Sequence, residues 1–412
     1  MRFFPLMLCG MAVAVTLVAQ TPPPKSWIDP DTGHRVVRLT DEPGSASLYF
    51  NQNGYTADGK ELLYTTPNGI SVMNLETHAT KPIVTGSGIR VIVTGRKTQN
   101  VYYIKDGTVF STDADSGVTK EIAKMPLRGS VVTVNADETM LAGTYTERDA
   151  TPVNQTAPSQ PQQLIQAPNK GQMMEERLAA HIPMGMFTVN VKTGEVKTIH
   201  KSTDWLNHLE FSPTDPTLLM FCHEGPWHKV DRIWTIRTDG SHITQIHTRT
   251  MAMEIFGHEF WAPDGKTIWY DLQTPRGEVF WLAGYNVETG ARTWYHLQRD
   301  EWSIHFNVTK DGTLFCGDGG DPGQVARATD GEWIYLFRPE LIPNRGIEDK
   351  NFVNAGVFHS ERLVNMSKHQ YKLEPNVSFT PDQKWVVFRS NMFGPTYVFA
   401  VEVAKADQGK SK

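Results

Sequence analysis

Four histidines and an arginine in the second half of the chain are spaced like parts of one site. His208, His258 and His305 each open a motif of the same shape: HLEFSPTD at 208–215, HEFWAPDG at 258–265 and HFNVTKDG at 305–312. In each the imidazole heads a strand that runs into an Asp-centred turn, so the three occupy equivalent positions of a repeat. Imidazole titrates near neutral pH, so it can take up or return a proton, and its neutral form ligates metals. One histidine on a half-buried strand is most simply a hydrogen-bonded core residue. Three at equivalent repeat positions point to function. Between the first two runs FCHEGPWHKVDRIW, at 221–234, read as a polar loop. Within it His223 and Glu224 are either a ligand pair or a loop anchor. Arg232 can grip a carboxylate with two parallel hydrogen bonds, or form an ion pair with Asp231. Glu374 and Asn376, just ahead of VSFTPDQKWVVF at 377–388, are oxygen donors to set beside His305. The run CGDGGDP at 316–322 lacks the spacing of an EF-hand and reads as a tight loop at the channel mouth.

The elements that position these residues repeat along the chain. An apolar strand, a turn built on Asp-Gly-Lys or a relative, and a second apolar strand recur at 53–64, 132–143, 208–221, 258–270, 305–315 and 377–388. Asp and Gly make the turn and alternating apolar residues make the buried face. A further strand ending in a Thr-Gly or Asp-Gly turn follows several copies, as in MFTVNVKTGEVKTI, so each unit holds four strands. The turns at Asp264 and Asp311 are about 47 residues apart, a propeller-blade period. Seven units begin near residues 47, 88, 129, 204, 254, 301 and 371. The reading is an all-β chain: one seven-bladed β-propeller over 34–405, closed by the lone N-terminal strand HRVVRLT at 34–40 beside TYVFAVEV at 396–403. Two β-sandwiches would explain the strands but not the spacing. The third unit carries an insertion over 151–180, rich in Gln and Pro and then briefly helical. The sixth carries one around 323–368.

Composition narrows the classes of function. Lys and Arg number 40 against 45 Asp and Glu, a formal net charge of −5, so nucleic acid is not the expected partner. No Gly-rich phosphate loop follows a strand and no Gly-x-Ser-x-Gly elbow is present, so no organic cofactor is expected. Met1 and Arg2 precede an uncharged apolar run over 3–19. That is the layout of a secretory signal, residues 1–19, followed by a linker at 20–33. The run is short for a membrane span, so the mature chain is expected in the periplasm or outside the cell and not embedded in a membrane. Residues 406–412 read as a disordered tail. The mature chain keeps Cys222 and Cys316, expected as buried free thiols.

The motifs FCHEGPWHKVDRIW, HEFWAPDGK, the His305 segment and NVSFTPDQKWVVFRS resemble the matching parts of bacterial oligogalacturonate lyases. The resemblance covers nearly the whole mature chain and is strongest over 205–405. It implies a seven-bladed propeller acting on short uronate-containing oligosaccharides by β-elimination. It further implies His258 as the proton-abstracting base, Arg232 as a substrate-binding arginine, with His208 and His223 nearby, and His305 as a ligand of a divalent cation, typically manganese. The family's His-x-His ligands fall at Glu374 and Asn376 here, and its ligand Gln falls at Tyr371. Such a ligand set would favour a hard cation: Mn²⁺, Mg²⁺ or Ca²⁺. Fold alone leaves open a non-catalytic, sugar-binding propeller or a shift to a glucuronate-containing glycan.

Overall fold

The computed structural model describes residues 23–147, 169–347 and 349–406. The expected signal segment and the tail beyond 406 lie outside them. Every sheet is built mainly of antiparallel neighbours in sequence order. Four sheets hold four strands each, one holds five and one eight. The eight-stranded sheet is two four-stranded meanders joined edge to edge, where Arg292–Leu297 runs parallel to Val353–Asn365. What reads as an insertion near 323–368 is mostly this outer hairpin, Trp333–Leu341 with Val353–Asn365, long enough to reach the neighbouring meander.

The innermost strands are Ala46–Ser47, Ile89–Thr94, Gly129–Val134, Trp205–Phe211, Ile255–Trp261, Phe306–Val308 and Ser378–Phe379. The first five begin within one residue of the unit starts read from the turns, because an Asp-centred turn fixes the register of the hairpin that it closes; the last two begin five and seven residues later. Apolar clusters fill the spaces between successive sheets. Leu63, Val72 and Val91 join the first two units, Ile92 and Phe187 the next pair, and Phe211 and Phe221 the next. Phe256 and Tyr270 carry the series onward, and a larger cluster around Phe306, Phe337 and Phe388 spans the last three meanders. Leu62, Met73, Val387 and Val398 then join the last sheet to the first, so the series returns to its start. An all-β chain whose sheets pack face to face in a circle is a propeller arrangement.

Two features depart from the sequence reading. Residues 26–28, assigned to a linker, form the strand Ser26–Ile28, which pairs with His34–Arg38. The latter pairs in turn with Tyr397–Lys405. The segment around His223, read as a loop, is strand: Leu218–Glu224. Cys222 and Cys316 are buried and free. No helix among the described residues is long and apolar enough to cross a membrane.

Candidate active site

Four inner strands carry a one-residue bulge, and in two of them a histidine sits in it. In Trp205–Phe211 the pairing slips between Asn207 and Glu210, and in Ile255–Trp261 between Gly257 and Phe260. In each case one extra residue is inserted, and His208 and His258 sit there with φ of 48° and 46°. A bulge bends the strand and re-aims a side chain. Left-handed φ is uncommon for a residue with a Cβ, though histidine tolerates it better than most. Both imidazoles reach a cavity of about 1230 Å³ lined by residues from many of the sheets, among them Tyr49, Glu224, Arg232, Glu374 and Arg389. One flank carries the helix Lys170–Ala180, which begins at Asn169, whose side chain accepts the Gln172 N–H. Arg177 of that helix stacks over Trp205 at 4.2 Å, and Lys170, Met173 and Met174 face the cavity.

Hydrogen bonding separates the three equivalent histidines. Asp271, opposite Gly257 on the next strand, accepts from His258 Nδ1 at 3.3 Å. A carboxylate only accepts, so the proton of the neutral ring sits on Nδ1 and Nε2 keeps its lone pair. Nε2 has no partner among the described residues and the ring borders the cavity. Trp227, at 5.0 Å, and the His305 ring, at 4.8 Å, hold it edge-on. His208 is arranged the other way round: its Nε2 faces Glu224 Oε2 at 3.1 Å, so that nitrogen is a donor. His305 is fully buried. Its Nδ1 donates to Asp318 Oδ2 at 2.8 Å and its Nε2 accepts from the Tyr49 hydroxyl at 3.1 Å. Burial would push the His305 imidazole down, but the Asp318 carboxylate, with Glu374, holds it above the ordinary range.

Arg232 lines the cavity, but its charge is committed. It is 1% exposed, hydrogen-bonds Glu224 Oε1, lies 3.9 Å from Glu259 and stacks over Trp227 at 4.4 Å. Burial alone would raise the Glu224 carboxyl; Arg232 and His208 hold it well below the usual range. The result is a wall, His208–Glu224–Arg232–Trp227, with Glu224 and Arg232 buried and His208 and Trp227 half-buried, against which His258 packs. Arg389, from the strand Trp385–Ser390, meets the cavity on the side of Glu374. Its Nε donates to the Glu374 carbonyl at 2.9 Å. Burial tends to raise the Glu374 carboxyl too, yet His305, His258, Lys170 and Arg389 hold it lower.

Two readings from the sequence are corrected. His223 does not reach the cavity. Successive residues of a strand point to opposite faces, and Glu224 takes the cavity face. His223 packs instead on Trp234 and Phe221, 3.8 Å from Asp204. The proposed cation ligands His305, Glu374 and Asn376 do not form a cage. Both nitrogens of His305 are taken, the nearer one by the Tyr49 hydroxyl, and Glu374 Oε2 is 3.8 Å from His305 Nε2. Asn376 is buried, its amide oxygen accepting from Phe50 N–H and its amide nitrogen donating to the Glu374 carbonyl. No group of three or more His, Cys, Asp or Glu side chains among the described residues could hold a metal ion. Tyr371, where the family has its ligand Gln, is buried and donates to the Asp318 carbonyl.

Sequence reasoning missed Asp271, Asp318, Tyr49, Trp227 and Arg389. Asp271 and Arg389 carried a signal: each is a charge in an otherwise apolar strand, IWYDL and VVFRS.

Sheets packed face to face in a ring around a cavity that His208 and His258 line define an all-β propeller with a candidate site at its centre. Residues 23–406 match the oligogalacturonate lyase family, and the chain belongs to that family. It is 26% identical to the oligogalacturonate lyase of Dickeya dadantii over 404 residues, 92% of this chain and 95% of that one. An oligogalacturonate lyase solved in complex with manganese superposes with a TM-score of 0.74 at 23% identity, covering 92% of this chain and 96% of its own. The oligogalacturonate lyase of Vibrio parahaemolyticus gives the same TM-score at 24% identity and the same coverage of both chains.

Proposed function

We propose that this protein cleaves short galacturonate-containing oligosaccharides by β-elimination, with His258 as the base. The observation that carries the reading is the His258–Asp271 pair, which spends Nδ1 and leaves Nε2 of the cavity-lining ring without a partner among the described residues. The C5 proton of a uronate is weakly acidic. In the proposed step it passes to His258 Nε2 and the C5–H electron pair becomes the C4–C5 double bond. The C4–O bond breaks, its electrons leave on the oxygen, that oxygen takes a proton from water, and the His258 imidazolium gives its proton to the hydroxide left behind. The products are a 4,5-unsaturated uronate and a shortened chain. Asp271 holds the ring orientation and stabilises the imidazolium that forms. His208, Glu224 and Arg232, bonded to one another, form one wall of the cavity that would receive the sugar. Manganese would neutralise the uronate carboxylate as a Lewis acid where a protein holds it; the side chains of this cavity do not fit that task, and no step here runs through it.

We read the six sheets as seven blades, the eight-stranded one counting as two, and the pairing of His34–Arg38 with Tyr397–Lys405 as the seam of the ring. The apolar run over 3–19 supports export to the periplasm or beyond. The test is to incubate the purified protein with galacturonate oligomers and follow the absorbance of the conjugated alkene. New reducing ends without that absorbance would make it a hydrolase instead.

A further inference from the structure

We propose that Arg389 is the group that binds and neutralises the uronate carboxylate. Elimination needs positive charge at that carboxylate, because the pair released at C5 delocalises into it. Arg232 is poorly placed to supply it, being shared between Glu224 and Glu259, and the residues around His305 do not assemble a cation cage. Arg389 is different on each count. It is 6% exposed, and Nε alone is anchored, on the Glu374 carbonyl. Neither Nη1 nor Nη2 has a hydrogen-bond or ion-pair partner among the described residues, and neither is sealed away from the cavity that Arg389 lines. A guanidinium fixed at one nitrogen, with its fork open, is prepared for bidentate binding of a carboxylate.

Its surroundings put it near the base. Glu374 lies 3.8 Å from His305, whose ring is 4.8 Å from that of His258. Lys170 and Glu374 face the same space with opposite charges. Arg90, Arg96 and Lys372 line it as well, but Arg389 is the cation anchored on the Glu374 backbone, beside the His305–His258 pair.

The inference rests on the lyase reading, and the test separates the two. Wild type, Arg389→Ala, Arg389→Lys and His258→Asn are assayed on galacturonate trimer and on its methyl ester, which has no charge to neutralise. Binding of each sugar is measured separately by calorimetry. Arg389→Ala is expected to lose about 10²–10³-fold in kcat/KM on the acid and less than about 10-fold on the ester. Added guanidinium should restore part of the loss, and Arg389→Lys, which keeps the charge without the fork, should fall in between. A chelator should leave wild-type activity unchanged. The proposal is overturned if folded Arg389→Ala loses equally on both sugars or on neither, or if chelation abolishes activity and manganese restores it. Should Arg389→Ala not fold, Arg389→Lys decides by the same acid-to-ester ratio. If wild type cuts neither sugar the lyase reading fails, and Arg389 is judged by binding alone: equal affinity for acid and ester in wild type would remove it.

Discussion

His258 and His208 share a motif, a bulge and a backbone conformation, yet their rings are held in opposite senses. The difference lies in which ring nitrogen faces a carboxylate: Nδ1 to Asp271 in His258, Nε2 to Glu224 in His208. The neutral ring of His258 then keeps its lone pair on Nε2, and that of His208 keeps its own on Nδ1. His258→Asn keeps polarity and approximate size without a basic nitrogen. It should lower kcat by about 10²–10⁴-fold, with sugar binding largely kept and circular dichroism unchanged. A folded His258→Asn protein with near-normal turnover would remove His258 from the chemistry. None of this discrimination was legible in the motifs, because HLEF and HEFW look alike and their partners lie on other strands.

At the scale of the element, the bulge after Gly257 places His258, and the glycine itself makes room. A Cβ at Gly257 would stand 2.8 Å from the Trp227 ring and 3.1 Å from Arg232 Nε, and Trp227 braces His258. Gly257→Ala should therefore displace Trp227, costing about 1–3 kcal/mol of stability and lowering kcat more than it raises KM; denaturant melts with steady-state kinetics check both. The segment before Ser378–Phe379 is held by His369, which is buried between the Ser390 hydroxyl and the Leu373 carbonyl. Burial pushes its imidazole down to about 4. The unfolded chain titrates near 6.5, so below that pH it binds a proton that the folded chain does not. Stability from this residue is full above about 6.5 and falls as pH drops toward 4, by about 3 kcal/mol at most. His369→Gln should flatten that part of the stability–pH curve measured by urea unfolding.

For the whole molecule, the first and last described strands lie in one sheet, where His34–Arg38 pairs with Tyr397–Lys405. Val36 and Leu39 are buried in two of the clusters that join sheets. Removing residues 1–40 should cost about 3–6 kcal/mol from these two side chains alone, expose the edge of the last strand, and lower the melting temperature while leaving the His258 pocket chemically intact. An unchanged thermal melt would show that the ring does not depend on this seam.

The sequence by itself determined the repeat, the inner-strand starts and the equivalence of His208, His258 and His305. These depend on turn chemistry and on period-two alternation, which act over a few residues. It marked the three histidines alike, and only the resemblance to oligogalacturonate lyases singles out His258 among them. Only the tertiary structure decided the rest. His223 turned away because strand pairing extends through a stretch that is polar in composition. Asn376 was spent on Phe50 and Glu374, and His305 was covered by Tyr49, 256 residues away. Arg389 came to the cavity because the last sheet sits beside the first. Such contacts join residues hundreds of positions apart, and the free energy that selects them comes from packing around the ring, which no local pattern encodes.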